Sequence, residues 1–308
     1  MTNAEPSAST RRILVLGARG QVGWALGRTL ATHGALHAWD VTTHAEADFL
    51  DAERLMRAVD ALDPHWVINA AAYTAVDRAE SEPERAEIIN AQIPSQLAEW
   101  CAGRGARFVH YSTDYVFDGS GDAPRREGDP CAPLNVYGRT KLLGEQGARA
   151  SGAEGWILRT SWVFSSFGQN FVRTVLRLAT SREDLGIVAD QIGAPTSAEL
   201  LAEITARLLN ETEPQGMELL HCVAAGETSW HGLANEVLRA ALAEGWALKV
   251  RPEGLRALTT AEYPTPARRP LNSRLDTSRL QARLSLVLPD WRDGVRRAVH
   301  ELSPPERA

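Results

Sequence analysis

The sequence predicts an α/β fold: a doubly wound parallel sheet followed by a smaller α/β lobe. Three observations predict it. Short apolar runs alternate with helical patterns from residue 12 to about residue 161. A glycine-rich turn joins the first run to the first helical pattern. The alternation then loosens after about residue 165. Strands buried on both faces read as continuous apolar runs, and strand–helix alternation is the mark of a parallel sheet with helices on its faces.

Residues 12–17 (RILVLG) read as the first buried strand. Residues 21–32 place Val22, Leu26 and Leu30 on one helical face. Leu36 to Asp40 is a second short strand, and residues 51–61 are helical, with Leu55, Val59 and Leu62 recurring. Trp66 to Ala72 (WVINAAA) is a third strand. Residues 84–102 are a long helical stretch, with a break or kink expected near Pro94. Phe108 to Thr113 is a fourth strand, 137–150 a helix, and Trp156 to Ser161 a fifth strand. Helices near 169–180, 197–209 and 229–243 then alternate with short strand-like pieces, and a loop rich in Pro and Arg covers 263–271. The expected division is a tail over 1–10, a first domain over 11–165 and a second lobe over 166–308. Segments near 169–180, 197–209 and 217–223 are expected to return to the first domain.

At 308 residues the chain can bury a large core without disulfides or a structural metal. A net charge of -6 gives no bulk attraction for nucleic acid. No apolar run approaches the roughly 18–20 residues that span a bilayer, so no membrane partner is expected. Cys101, Cys131 and Cys222 are an odd, sparse set, which fits a reducing compartment. Met1 to Thr10 is polar and has no hydrophobic signal region, so a disordered tail and a cytoplasmic location are expected.

The first strand ends in Gly17-Ala18-Arg19-Gly20-Gln21-Val22-Gly23. Glycines in such a turn allow close approach of a pyrophosphate, and the helix N-terminus behind them supplies free N–H groups and a positive dipole end. Asp40 ends the second strand, where an acid can bind a ribose hydroxyl. The combination points to a Rossmann-like dinucleotide site, since each part alone is weak. Asp40 favours NADH, because a carboxylate repels a 2′-phosphate, while Arg19 can attract that phosphate. NADPH and NADH therefore both stay open.

Tyr137 and Lys141 lie one turn apart on one helical face. A phenol with a pKa near 10 is a poor base, and an ammonium beside it is expected to lower that value. Such a pair can exchange a proton with a carbonyl oxygen. Thr113 closes the fourth strand, at the sheet end where open α/β folds bind ligands.

The stretches GARGQVGWAL (17–26), NAAAYTAVDRAESEPE (69–84), YSTDYVFDG (111–119), PLNVYGRTK (133–141), RTSWVF (159–164), DQIGAPT (190–196) and YPTPARRPLNS (263–273) resemble the extended short-chain dehydrogenase/reductases. Within them the resemblance is to the branch that reduces nucleotide-sugar ketones, and it runs from residue 12 almost to the end. It implies hydride transfer from NADPH or NADH to C4 of dTDP-4-dehydro-L-rhamnose, giving dTDP-L-rhamnose for cell-surface polysaccharide. It also implies that Tyr137 donates the proton, Lys141 tunes Tyr137 and grips the ribose, and Thr113 orients the oxygen. By the same mapping Gly17, Arg19, Gly20, Gln21, Val22, Gly23, Asp40, Asp48, Phe49, Ala72, Tyr73 and Thr74 surround the cofactor. Val76, Asp114, Tyr115 and Trp162 fall where the family holds substrate, and Arg268 and Arg269 could pair with a diphosphate.

Ala25 stands where some members carry a glutamate that helps bind magnesium at a dimer interface. That puts a metal-bridged dimer in doubt and leaves monomer and homodimer both open. The histidines show no HxxxH or HxH spacing, so no metal site is expected. A 4,6-dehydratase on the same fold would carry Asp-Glu after the strand-end threonine, whereas this chain has Asp114-Tyr115. A 4-epimerase on this fold needs room for the sugar to rotate, which sequence does not show, and the motifs of the substrate lobe favour the reductase. A non-catalytic dinucleotide-binding subunit would be expected to lose Thr113, Tyr137 or Lys141, and all three are present.

Overall fold

The computed structural model describes residues 11–40 and 48–302. The expected N-terminal tail lies outside the described residues. In chain order the elements are β1 (Arg12–Leu16), α1 (Gln21–Leu30), β2 (Ala35–Trp39), α2 (Ala52–Leu62), β3 (Trp66–Asn69), α3 (Val76–Ala79), α4 (Pro83–Glu87), a π-helical turn (Ile88–Gln92), α5 (Ile93–Arg104), β4 (Arg107–Thr113), α6 (Val136–Ala150) and β5 (Glu154–Thr160). After these come β6 (Val163–Phe164), α7 (Phe171–Ser181), β7 (Leu185–Val188), β8 (Ile192–Gly193), β9 (Thr196–Ser197), α8 (Ala198–Glu211) and β10 (Met217–His221). The chain finishes with β11 (Thr228–Ser229), α9 (Trp230–Ala243), β12 (Leu255–Leu258), β13 (Asn272–Ser273), α10 (Ser278–Leu284) and α11 (Trp291–Leu302).

Six parallel strands form the main sheet in the order β10-β5-β4-β3-β1-β2. Alternate residues of β1 explain its placement inside. Ile13 and Val15 join a core with α1, α8 and α9, while Leu14 and Leu16 join the opposite core with α2 and α5. The chain runs outward from β1 to β2 and then reverses through β3, which opens a crevice at the carboxyl ends of β1 and β3. Ala25, on α1, is buried in the first of these cores, facing apolar side chains.

The long helical stretch does not simply kink at Pro94. The backbone widens into the π turn at Ile88–Gln92, and Pro94 stands in the first turn of α5, where its missing N–H costs least. β10 pairs with β5 and α8 packs on α1, so the chain comes back to the main sheet after β6–β9. The smaller sheets are β11-β8-β13, β12-β7 and β6-β9. The helices α10 and α11 were not expected from the sequence, although Trp291, Val295, Ala298 and Val299 make a buried helical stripe.

Candidate active site

The glycine turn leaves β1 at the reversal point. Gly17 has φ +87°, and a Cβ there would lie 2.7 Å from the Ala71 backbone nitrogen on the strand-end loop of β3. A Cβ at Gly23 would lie 2.0 Å from the Gly17 carbonyl oxygen. The turn is therefore packed as tightly as backbone allows. Gly20 precedes α1 and offers no side-chain cap, so the first N–H groups of the helix donate to no capping side chain. These residues fit a dinucleotide. Gln21 is tied to Asn170 by a 2.9 Å hydrogen bond, and Val22 is partly buried behind the turn.

Asp40 is mostly buried, and its carboxylate lies 3.3 Å from the exposed guanidinium of Arg19. The two groups expected to oppose each other over a 2′-phosphate thus form one ion pair. Ala72, Tyr73 and Thr74 follow β3. Asn90, from the π turn, pins this loop by accepting from the Tyr73 N–H (2.8 Å) and donating to the Tyr73 carbonyl (3.2 Å). Phe49 has its ring in the core, 2% exposed, and the exposed Asp48 carboxylate accepts from Leu50 N–H.

Thr113 ends β4 and is buried. Its hydroxyl accepts from the Tyr115 N–H at 3.1 Å and donates to Asp114 Oδ1 at 3.0 Å. Asp114 is buried as well, and its Oδ2 has no partner. Burial pushes its carboxyl up to about 7, against hydrogen bonds from Ser273 and Thr113 that pull it down. An unpartnered buried carboxyl oxygen is costly unless a ligand completes it.

Asn135 caps α6, its Oδ1 accepting from Gly138 N–H at 2.8 Å. Tyr137 follows in the first turn, edge-on to the Tyr115 ring at 5.6 Å. Gly138 permits this approach, since a Cβ there would lie 2.2 Å from the Tyr115 carbonyl oxygen. Burial pushes the Tyr137 phenol up to about 12, with Thr113 pulling the other way. This corrects the expectation of a phenol lowered by an adjacent ammonium. Lys141 is one turn on, but its Nζ donates to the Tyr111 carbonyl at 2.6 Å and meets His110 Nε2 at 3.1 Å. Burial also pulls the lysine down to about 7, which weakens any positive field at the phenol.

Trp162 follows β5 with φ +51°, a strained conformation for a bulky residue. Its ring stacks on Trp230 at 3.8 Å, and a Cβ at Gly193 would meet it at 2.9 Å. Val76 opens α3. Arg268 is exposed, and its carbonyl accepts from Asn135 Nδ2 at 2.8 Å. Arg269 does not stand free for a diphosphate. It forms a forked pair with Asp77 at 3.0 and 2.8 Å, tying the 263–271 loop to α3. Sequence reasoning missed Asn69, Asn90 and His110, which link these loops from below; the only signal was polar residues inside apolar runs. Among the described residues, no group of three or more His, Cys, Asp or Glu could hold a metal ion.

The family described as RmlD substrate binding domain matches residues 11–303. The chain is 48% identical over 293 residues to a dTDP-4-dehydrorhamnose reductase of Escherichia coli K12, covering 94% of this chain and 97% of that one. It is 43% identical over 297 residues to one of Burkholderia thailandensis, covering 94% and 99%. The fold is similar to the crystal structure of a dTDP-4-dehydrorhamnose reductase from Bacillus anthracis in complex with NADP. That comparison has a TM-score of 0.87 and 32% identity, over 95% of this chain and 99% of that one.

Proposed function

The chain belongs to the dTDP-4-dehydrorhamnose reductase family, and on that premise we propose how its residues perform the reaction. It is an NAD(P)H-dependent oxidoreductase of the extended short-chain dehydrogenase/reductase type, acting in dTDP-rhamnose biosynthesis. It reduces the C4 ketone of dTDP-4-dehydro-L-rhamnose to dTDP-L-rhamnose. The observation that carries the assignment of roles is the convergence of Thr113, Tyr137 and Lys141 at the carboxyl end of β4, beside the crevice of the glycine turn.

The nicotinamide, when bound, supplies the hydride. The glycine turn and the N-terminus of α1 hold the pyrophosphate, and Asp40 with Arg19 faces the adenosine ribose. Tyr137 keeps its proton at neutral pH because burial disfavours the phenolate, so it delivers that proton to the alkoxide forming at C4. Thr113 holds the same oxygen through its hydroxyl, and Lys141 holds the nicotinamide ribose. Asp114, Tyr115, Val76 and Trp162 bind the sugar. Arg268, with its head exposed, is the better placed of the two loop arginines for the diphosphate. The domain over 11–165, joined by α8 and β10, carries the cofactor, and the remaining segments carry the substrate. The enzyme is proposed to be cytoplasmic and to work as a monomer or homodimer without a magnesium bridge through Ala25. No helix among the described residues is long and apolar enough to cross a membrane.

NADPH and NADH oxidation, followed at the nicotinamide absorbance band with dTDP-4-dehydro-L-rhamnose generated in situ, tests the reading. Oxidation that depends on the ketosugar is expected. Folded protein that binds nucleotide but oxidises neither cofactor would overturn it. Asp40→Ala should raise the NADPH/NADH ratio of kcat/KM, and an unchanged ratio would remove Asp40 from cofactor choice.

A further inference from the structure

His110 is fully buried on β4, and both of its ring nitrogens are engaged. Nδ1 lies 3.2 Å from Asn69 Nδ2, and Nε2 lies 3.1 Å from Lys141 Nζ. The orientation of the Asn69 amide is fixed from its other end, where Oδ1 accepts from the Ala71 N–H at 3.2 Å. The amide nitrogen therefore faces the imidazole and donates to it. Nδ1 is then the acceptor, and a neutral imidazole carries its hydrogen on Nε2. That N–H points at Lys141. An ammonium has only donors to offer, whereas an amine has a lone pair that completes the bond. The amine keeps an N–H for the Tyr111 carbonyl at 2.6 Å.

We propose that His110 is a positioning residue that holds Lys141 as an uncharged amine in the ligand-free protein. The role rests on Lys141 serving the site described above. Charging the lysine requires the imidazole hydrogen to move to Nδ1 and the Asn69 amide to turn. Turning it breaks the bond to Ala71, the residue against which Gly17 of the cofactor turn is packed. The charge of the lysine is thereby coupled to the backbone of the cofactor site.

The surroundings agree. Burial lowers both groups, which keeps the imidazole neutral. Glu145, on α6 itself, opposes this by favouring the ammonium. Its carboxylate is however taken by Arg159 of β5 at 2.6 and 2.9 Å and by the Ser112 hydroxyl of β4. Tyr137, also on α6, is held as the phenol by burial. Asp114, after β4, is pushed up toward neutrality. Asn90 of the π turn bonds the Thr140 hydroxyl and is uncharged.

The chain has two lysines, Lys141 and Lys249, among 33 basic residues. A protein labelled with 13C at lysine Cε and 15N at histidine therefore gives two lysine signals, assigned by Lys249→Arg. In the free wild-type protein Lys141 should titrate near neutral pH and His110 should show the Nε2–H tautomer. In His110→Gln the amide oxygen can replace Nε2 and accept from an ammonium, so the Lys141 midpoint should rise by about one pH unit or more. His110→Phe offers no acceptor and should keep it low. An unchanged midpoint in the glutamine variant, or an Nδ1–H tautomer in the wild type, would overturn the proposal; the second measurement needs no variant to fold. Both titrations are independent of turnover, so a failed ketosugar assay would sink the functional reading separately.

Discussion

In the proposed reaction Tyr137 is the proton donor, and burial keeps the proton on it until an alkoxide forms alongside. Tyr137→Phe removes the donor and little of the packing. We expect kcat to fall about 10²–10⁴-fold, the usual worth of one general acid, with the NADPH Kd nearly unchanged. Near-normal turnover would remove Tyr137 from the chemistry. Asp114 gives a pH signature of its own. Its folded pKa, about 7, lies above the ordinary carboxylate value, so the folded state binds the proton more tightly than the unfolded chain. Its contribution to stability is complete below about pH 4 and is lost as pH rises toward the folded value. Melting of wild type and Asp114→Asn across this range should show the wild type losing ground between about pH 4 and 7. A constant difference between the two would mean that the carboxyl is ionised throughout. Tyr137, Lys141 and Thr113 were legible as residue types at a spacing. What the sequence did not reveal was the sign of the tyrosine's shift, because burial outweighs the hydrogen bond from Thr113.

At the scale of elements, α6 carries Tyr137, the proposed proton donor, and its first turn is fastened twice by one side chain. Asn135 caps the helix through Oδ1 and holds the Arg268 carbonyl through Nδ2. Asn135→Ala should cost about 1 kcal/mol from the cap, read as a lower Tm. It should also raise the KM for the ketosugar more than the Kd for NADPH, since the 263–271 loop loses its anchor. Equal effects on both would show that the cap serves α6 alone. The strands and helices of the main sheet were legible because apolar runs and 3.6-residue stripes are local signals. The two-residue strands β6, β8, β9, β11 and β13 were not, because each exists only through its partner across the sheet. The π turn was marked in the sequence only by Pro94, four residues after the asparagine it presents to the cofactor loop.

On the scale of the whole molecule, α3 and the 263–271 loop meet through named contacts. Asp77 of α3 holds Arg269 by both oxygens and accepts from the Ala267 N–H at 3.1 Å. Burial raises the Asp77 carboxyl, but these bonds outweigh it and leave it below the ordinary carboxylate range. The tie is therefore present above that range and is lost only as pH falls through the lowered value, so assays near neutrality should not disturb it. Arg269→Ala should raise the ketosugar KM about tenfold, the size of one charged hydrogen bond, with NADPH binding unaltered. An unchanged KM would show that the tie does not shape the substrate side. The two arginines were legible as a pair of cations in a loop. Their division of labour was not, because it depends on an aspartate some 190 positions away in the chain.

The pairing of β10 with β5 has a consequence for the order in which the protein can be made. While the chain emerges from the ribosome, β5 stays an open edge until residues 217–221 arrive, and its Trp156, Ile157 and Leu158 are fully buried in the finished protein. A nascent chain paused between those points offers that edge to any neighbour, so this interval of synthesis is where a chaperone would have most to protect.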